Sequence, residues 1–297
     1  MITRRRFLLT AGCSLAAPVG LAGYAFAVEP QRLAITDYAF TPAQWPDDLP
    51  LKIAVLADIH AINPWMSAER IAAIARATNA LAPDIVLLAG DYEAGMAGFG
   101  IGSRVSMRDC AKALSLLRAP LGVHAVLGNH DVGTNEGNNV RRAFAASGLP
   151  VMENTAVRLE KDGKPFWLLG LGDQLGSRRH RGRGGFDDLP GTLAQVHDDA
   201  PAILLAHEPD IFVHVPERIA LTIAGHTHGG QVRVPGFGPL HVPSRYGRRF
   251  AYGHIIEHGR HLVVSGGLGT SGLPVRFDMP PEIVTISLGS DTIVTDA

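Results

Sequence analysis

A chain of 297 residues with 46% hydrophobic and 19% charged content carries enough apolar material for a large core, which excludes disorder throughout. Its 27 basic and 28 acidic residues, a net charge of −1, leave no basic excess of the kind that tracks a nucleic-acid backbone, so no nucleic-acid partner is expected.

The first 27 residues stand apart. Arg4, Arg5 and Arg6 precede an apolar stretch over 7–27, and no acidic residue occurs before Glu29, the composition of an export signal. The order Thr3-Arg4-Arg5-Arg6-Phe7-Leu8 resembles a twin-arginine signal, which implies the twin-arginine export machinery as a partner, transport of a folded chain and a periplasmic or extracytoplasmic location. Ala25-Phe26-Ala27 fits the small-x-small rule and places cleavage after Ala27, although ~20 apolar residues also suffice for an uncleaved anchor. Cys13 follows Thr10-Ala11-Gly12, which departs from a lipoprotein processing site at Thr10. Removing residues 1–27 leaves 24 basic against 28 acidic residues, a formal charge of −4. Cys110 is then the only cysteine, so stability rests on packing and bound metal, with no intramolecular disulfide.

From residue 28 onward, short Val/Ile/Leu-rich runs alternate with helical patterns, the signature of an α/β domain. Residues 51–57 read as a buried strand. Ser67 caps a helix whose Ile71, Ile74, Ala75, Thr78 and Leu81 share one face, ended by Pro83. Residues 84–89 form a second strand, followed by glycine-rich 95–102 and a helix opened by Ser106 with Asp109 three positions on, a capping box. A third strand covers 122–127 and a helix 140–146; further strands cover 157–159, 166–171, 202–206 and 219–224, with Pro209 opening a helix. Beyond 224 the helical pattern fades, and 251–257, 261–265 and 283–288 read as strands of a second sheet. The expected architecture is a four-layer α/β sandwich, two facing mixed sheets flanked by helices, as a single domain over 28–297.

Polar blocks follow the strands. Asp58-Ile59-His60 comes after the first, Gly90-Asp91 after the second and Gly128-Asn129-His130-Asp131 after the third; His207 and Gly225-His226-Thr227-His228 follow two later ones. Ligands of open α/β sheets collect just beyond the carboxyl ends of the strands, so blocks far apart in sequence converge there. Of the 13 histidines, His60, His130, His207, His226 and His228 are assigned a function, and the others are read as packed or surface residues.

Taken in order, Asp-x-His, Gly-Asp, Gly-Asn-His-Asp, His and Gly-His-x-His resemble the calcineurin-like metallophosphoesterase family over most of the chain. The segments 225–253 and 267–277 look like a narrower subgroup of exported or membrane-associated phosphodiesterases. The resemblance implies two divalent metal ions. Asp58, His60, Asp91 and His228 would hold one, and Asp91, Asn129, His207 and His226 the other, with Asp91 bridging. Carboxylate, imidazole and a neutral amide suit Mn, Fe or Zn. Two ions about 3.5–4 Å apart lower the pKa of a bridging water and stabilise the attacking and leaving oxygens at phosphorus. His130 would then protonate the leaving alkoxide, with Asp131 orienting its imidazole by a hydrogen bond.

Three rivals follow from the residues. A serine hydrolase would use Ser265 or Ser271, but no Gly-x-Ser-x-Gly elbow is present. A non-catalytic metal-binding protein would not need His130. Within the phosphoesterases, a phosphomonoesterase or a lipid- or nucleotide-sugar pyrophosphatase stays open beside the phosphodiesterase. The apolar run 96–102 and the basic run Arg178-Arg179-His180-Arg181-Gly182-Arg183 suit an anionic, lipid-linked phosphodiester at a membrane surface, as against a small soluble diester.

Overall fold

A computed structural model describes residues 19–96, 100–132, 137–176 and 185–289. The arginines of the export motif, the basic run 178–183 and residues 97–99 of the apolar run lie outside the described residues.

Two mixed sheets form the centre. The first has five strands, β1 (Ala34–Ala39), β2 (Leu51–Leu56), β4 (Ile85–Leu88), β6 (Val123–Ala125) and β15 (Glu282–Leu288), in the order β1-β15-β2-β4-β6. The second has six, β7 (Thr155–Lys161), β8 (Lys164–Gly170), β9 (Ala202–Leu205), β10 (Ile219–Ala224), β13 (Gly253–Glu257) and β14 (Arg260–Val264), in the order β13-β14-β10-β9-β8-β7. Among the described residues two small ribbons complete the set, β3 (Ile62–Asn63) with β5 (Ser103–Arg104) and β11 (Arg233–Val234) with β12 (Gly238–Pro239).

The sheets face each other across one apolar layer. Ile53, Val55, Leu87 and Ile286 of the first meet Leu168, Ile203, Leu205 and Ile223 of the second. The other face of the first sheet is covered by α1 (Ala68–Ala80), α2 (Met107–Leu114) and, beyond the short α3 (Asn129–Val132), α4 (Gly137–Ala146). The second sheet packs its outer face on Ile211, Phe212 and the short α5 (Leu189–Leu193). This is the expected four-layer architecture. The caps form as read: Ser67 accepts the Arg70 N–H at 3.3 Å, and Ser106 accepts that of Asp109 at 3.1 Å. One strand departs from expectation. Residues 282–288 join the first sheet, antiparallel to β2 and parallel to β1, and not the second.

At the edge of the second sheet, His254 and His261 share a 2.9 Å N···N contact, and Phe40 stacks on the His254 ring at 3.9 Å. Burial, then the charge of His261, pushes His254 down to about 4. Between that value and the unfolded value near 6.5 the unfolded chain binds more protons, so stability falls as pH falls through this window. Melting temperature measured across that window is expected to drop more steeply in the parent than in His254→Gln, by the equivalent of about 1 kcal/mol once solvent screening is allowed for. Parallel profiles would refute it.

Candidate metal centre

All five polar blocks sit just past their strands, and the structure brings them to one place. Asp58, His60 and His228 form one cluster and Asp91, His207 and His226 another, the candidate ligand atoms of each lying within 4.8 Å of one another. Asp91 joins them: its Oδ2 stands 3.2 Å from His207 Nε2 and 3.6 Å from His60 Nε2. Within the clusters, His60 Nε2 is 3.1 Å from His228 Nε2, and His226 Nδ1 is 3.3 Å from His207 Nε2. Asn129 lines the same cleft, and its buried Oδ1 has no hydrogen-bond partner among the described residues. An orphaned amide oxygen beside imidazole nitrogens crowded against each other is a donor set that suits divalent cations, because buried acceptors otherwise go unsatisfied.

The backbone is bent to make this convergence. Asp58, His60, Asp91, His226 and His228 all adopt positive φ, between 45° and 71°. Such conformations cost non-glycine residues free energy and persist where surrounding structure imposes them. Glycine is needed beside them. A Cβ on Gly90 would stand 2.7 Å from His207 Nδ1, and one on Gly128 would collide with Asp91 Oδ1.

Hydrogen bonds set the tautomers. His60 Nδ1 faces the Glu93 carbonyl at 2.8 Å and His207 Nδ1 that of Ala89 at 2.7 Å, so each points an Nε2 lone pair inward. Burial pushes His60 down to about 4 and His226 down to about 3, the latter aided by His207. His228 stands well below the usual imidazole value through burial, His60 and the Arg276 guanidinium, whose Nη2 is 3.5 Å from its Nδ1. Three imidazoles are therefore held neutral, the form a metal requires. For His207, burial opposes protonation but Asp91 outweighs it and raises the pKa. For Asp91, burial is outweighed in turn by His207 and His130, and the pKa falls well below the carboxylate range. Burial raises Asp58 to about 7, against the pull of His207.

His130 is half-buried on the cleft wall; its backbone N–H donates to Asp91 Oδ1 at 2.8 Å and its ring lies 4.9 Å from that of His60. Asp131 differs from expectation. Its carboxylate accepts the backbone N–H groups of Asp91, Tyr92, Glu93 and Gly128 at 2.8–3.0 Å, and no hydrogen bond joins it to the His130 ring. Asp131 clamps the two loops that carry Asp91 and Asn129. It does not orient His130, because four amide donors occupy both of its oxygens.

Sequence reasoning missed Arg276, which is fully buried and donates to the carbonyls of Gly266, Gly269 and Met279 at 2.5–2.9 Å. It fixes the turn that packs on Asp58, where Leu268 and Gly269 donate to Ala57 and Asp58 carbonyls. The sequence shows 267–277 to be glycine-rich, but nothing in it marks that arginine as internal. Glu208 was missed too; it is buried on the cleft wall, where burial and the neighbouring Asp173 hold its pKa well up.

Comparison with known proteins agrees with this geometry. The chain is 30% identical to the uncharacterized metallophosphoesterase YkuE of Bacillus subtilis, over 97% of this chain and 98% of that one. It is 29% identical to the phosphodiesterase YaeI of Escherichia coli, over 97% of this chain and all of that one. A transmembrane protein with metallophosphoesterase domain from Danio rerio is 28% identical over 90% of this chain and 60% of its own length. Residues 51–230 match the calcineurin-like phosphoesterase family, and the chain belongs to that family.

Proposed function

We propose that this phosphoester hydrolase is a two-metal phosphodiesterase that works outside the cytoplasmic membrane. The observation that carries the reading is the position of Asp91 Oδ2, 3.2 and 3.6 Å from histidines of two adjacent clusters, where one carboxylate serves both. Asp58, His60, Asp91 and His228 would hold one ion, and Asp91, Asn129, His207 and His226 the other. The nitrogen and oxygen donors suit Mn, Fe or Zn. When bound, such a pair supplies a nucleophile at neutral pH and stabilises the oxygens that attack and leave phosphorus.

The chain's own residues do the rest. Asp131 holds the Asp91 and Asn129 loops in register, and His130 stands beside the centre to protonate the leaving oxygen. The cleft is about 900 Å³ and extends past the centre to Leu240, Tyr246 and Leu273, which favours phosphorus carrying substituents on two oxygens. The name of the Escherichia coli relative supports the same choice.

Chelation is expected to abolish hydrolysis of bis(p-nitrophenyl) phosphate and added Mn²⁺ to restore it, with p-nitrophenyl phosphate turned over more slowly. Activity that survives chelation would remove the metals from the reading; a faster monoester would remove the diester.

A further inference from the structure

The rim of the cleft is apolar and cationic together. Leu240 and Leu273 line the cleft and stand exposed, and Val234 and Phe237 are exposed on the β11–β12 hairpin just before Leu240; Phe237 and Leu240 are 59% and 61% accessible. Arg248 lies 4.4 Å over the Phe237 ring and donates to its carbonyl, and Arg245 lines the cleft. Several large apolar side chains exposed together mark an interaction surface, and an aromatic and aliphatic rim with arginines suits the boundary of an anionic bilayer.

The amino-terminal segment enters the fold beside this rim. Residues 19–28 are helical. Tyr24 packs edge-on to Phe277, Ala25 accepts the Arg276 N–H at 2.9 Å, and Phe26 meets Trp65. Glu29 is buried and its carboxylate accepts the Met279 N–H at 2.6 Å. The stretch that receives these contacts also pairs with the base of the hairpin, through Arg233 N–H to Phe277 O and Phe277 N–H to Gln231 O, and Val275 lines the cleft. Val19, Leu21, Phe26 and Val28 face outward. Among the described residues no helix is long and apolar enough to cross a membrane. Residues 19–28 are the end of a longer uncharged run, 7–28, which exceeds the ~20 residues that a span requires.

We propose that residues 24–28 stay on the folded protein as the inner end of a membrane anchor and that, with the 233–240 hairpin and Leu273, they seat the mouth of the cleft on a lipid bilayer. The Ala27–Val28 bond lies in a helical turn, Tyr24–Val28, docked on the fold immediately before buried Glu29. Cleavage there needs local unfolding, and a chain exported after folding arrives with this segment already docked. The proposal stands apart from the chemistry of the metal centre.

Two measurements on the full chain test it. The protein recovered from cell membranes after a high-salt wash is expected to keep residues 24–28 by intact mass; a chain that starts at Val28 in the soluble fraction overturns the proposal. In vesicles of brominated phosphatidylcholine with phosphatidylglycerol, Phe237→Trp and Val234→Trp are expected to show bromolipid quenching that Leu116→Trp, on the turn after α2, does not. Equal quenching at all three sites, or cross-linked dimers without quenching at 234 and 237, overturns it. Hydrolysis of a small soluble diester is followed in the same samples. Its loss on chelation reports on the metal reading alone.

Discussion

Replacing Asp91 by Asn is expected to lower bound metal from two ions per chain to one or none and to cut kcat/KM by about 10³-fold or more. The magnitude follows from losing several kcal/mol of charge stabilisation at phosphorus, with about 1.4 kcal/mol to each factor of ten. Asn is the informative replacement because it keeps the Oδ1 that accepts the His130 N–H at 2.8 Å and changes only the oxygen between His60 and His207. Far-UV circular dichroism should therefore stay unchanged. The variant also removes the charge that raises the His207 pKa, and a folding defect would show as a shift in melting temperature, separate from the metal count. Two ions per chain and near-parental turnover in Asp91→Asn would sink the shared-ligand assignment.

What the sequence made legible was local in origin. Asp58, Asp91, Asn129, His207 and His226 each follow a short apolar run, and a buried strand ending in a polar block is visible without tertiary information. The pairing of the strands was harder. Residues 282–288 read as a strand, but their place between β1 and β2 depends on partners more than 200 positions away, and no local pattern encodes that choice. β1 went unread because Ala34–Ala39 alternates intermediate and exposed positions at a sheet edge and has no apolar run. Asp131 shows the same limit at the site. Its spacing from His130 invited a catalytic dyad, whereas its actual partners are amides of residues 91–93, brought near by the pairing of β4 with β6. Arg276 is illegible for a related reason: a fully buried guanidinium is uncommon, and only the folded carbonyls of Gly266, Gly269 and Met279 make it tolerable.

His130→Ala is expected to keep both ions and to slow hydrolysis of an alkyl phosphodiester by roughly 10²–10⁴-fold, the range of a lost general acid. The geometry leaves a rival, since His130 also belongs to a trio with His60 and Asp91 whose ligand atoms lie within 4.8 Å of one another. Metal content separates the two: a ligand would take an ion with it, a proton donor would not. The leaving group then identifies the role. An alkoxide must be protonated as it departs, whereas a nitrophenolate is stable without a proton, so the loss should shrink sharply on the nitrophenyl diester. Because Asp131 makes its hydrogen bonds to backbone amides, Asp131→Asn should not reproduce this leaving-group pattern; it should loosen the loops and lower metal affinity for both substrates alike. Equal losses on the two diesters in His130→Ala, with both ions still bound, would show that His130 positions substrate and transfers no proton.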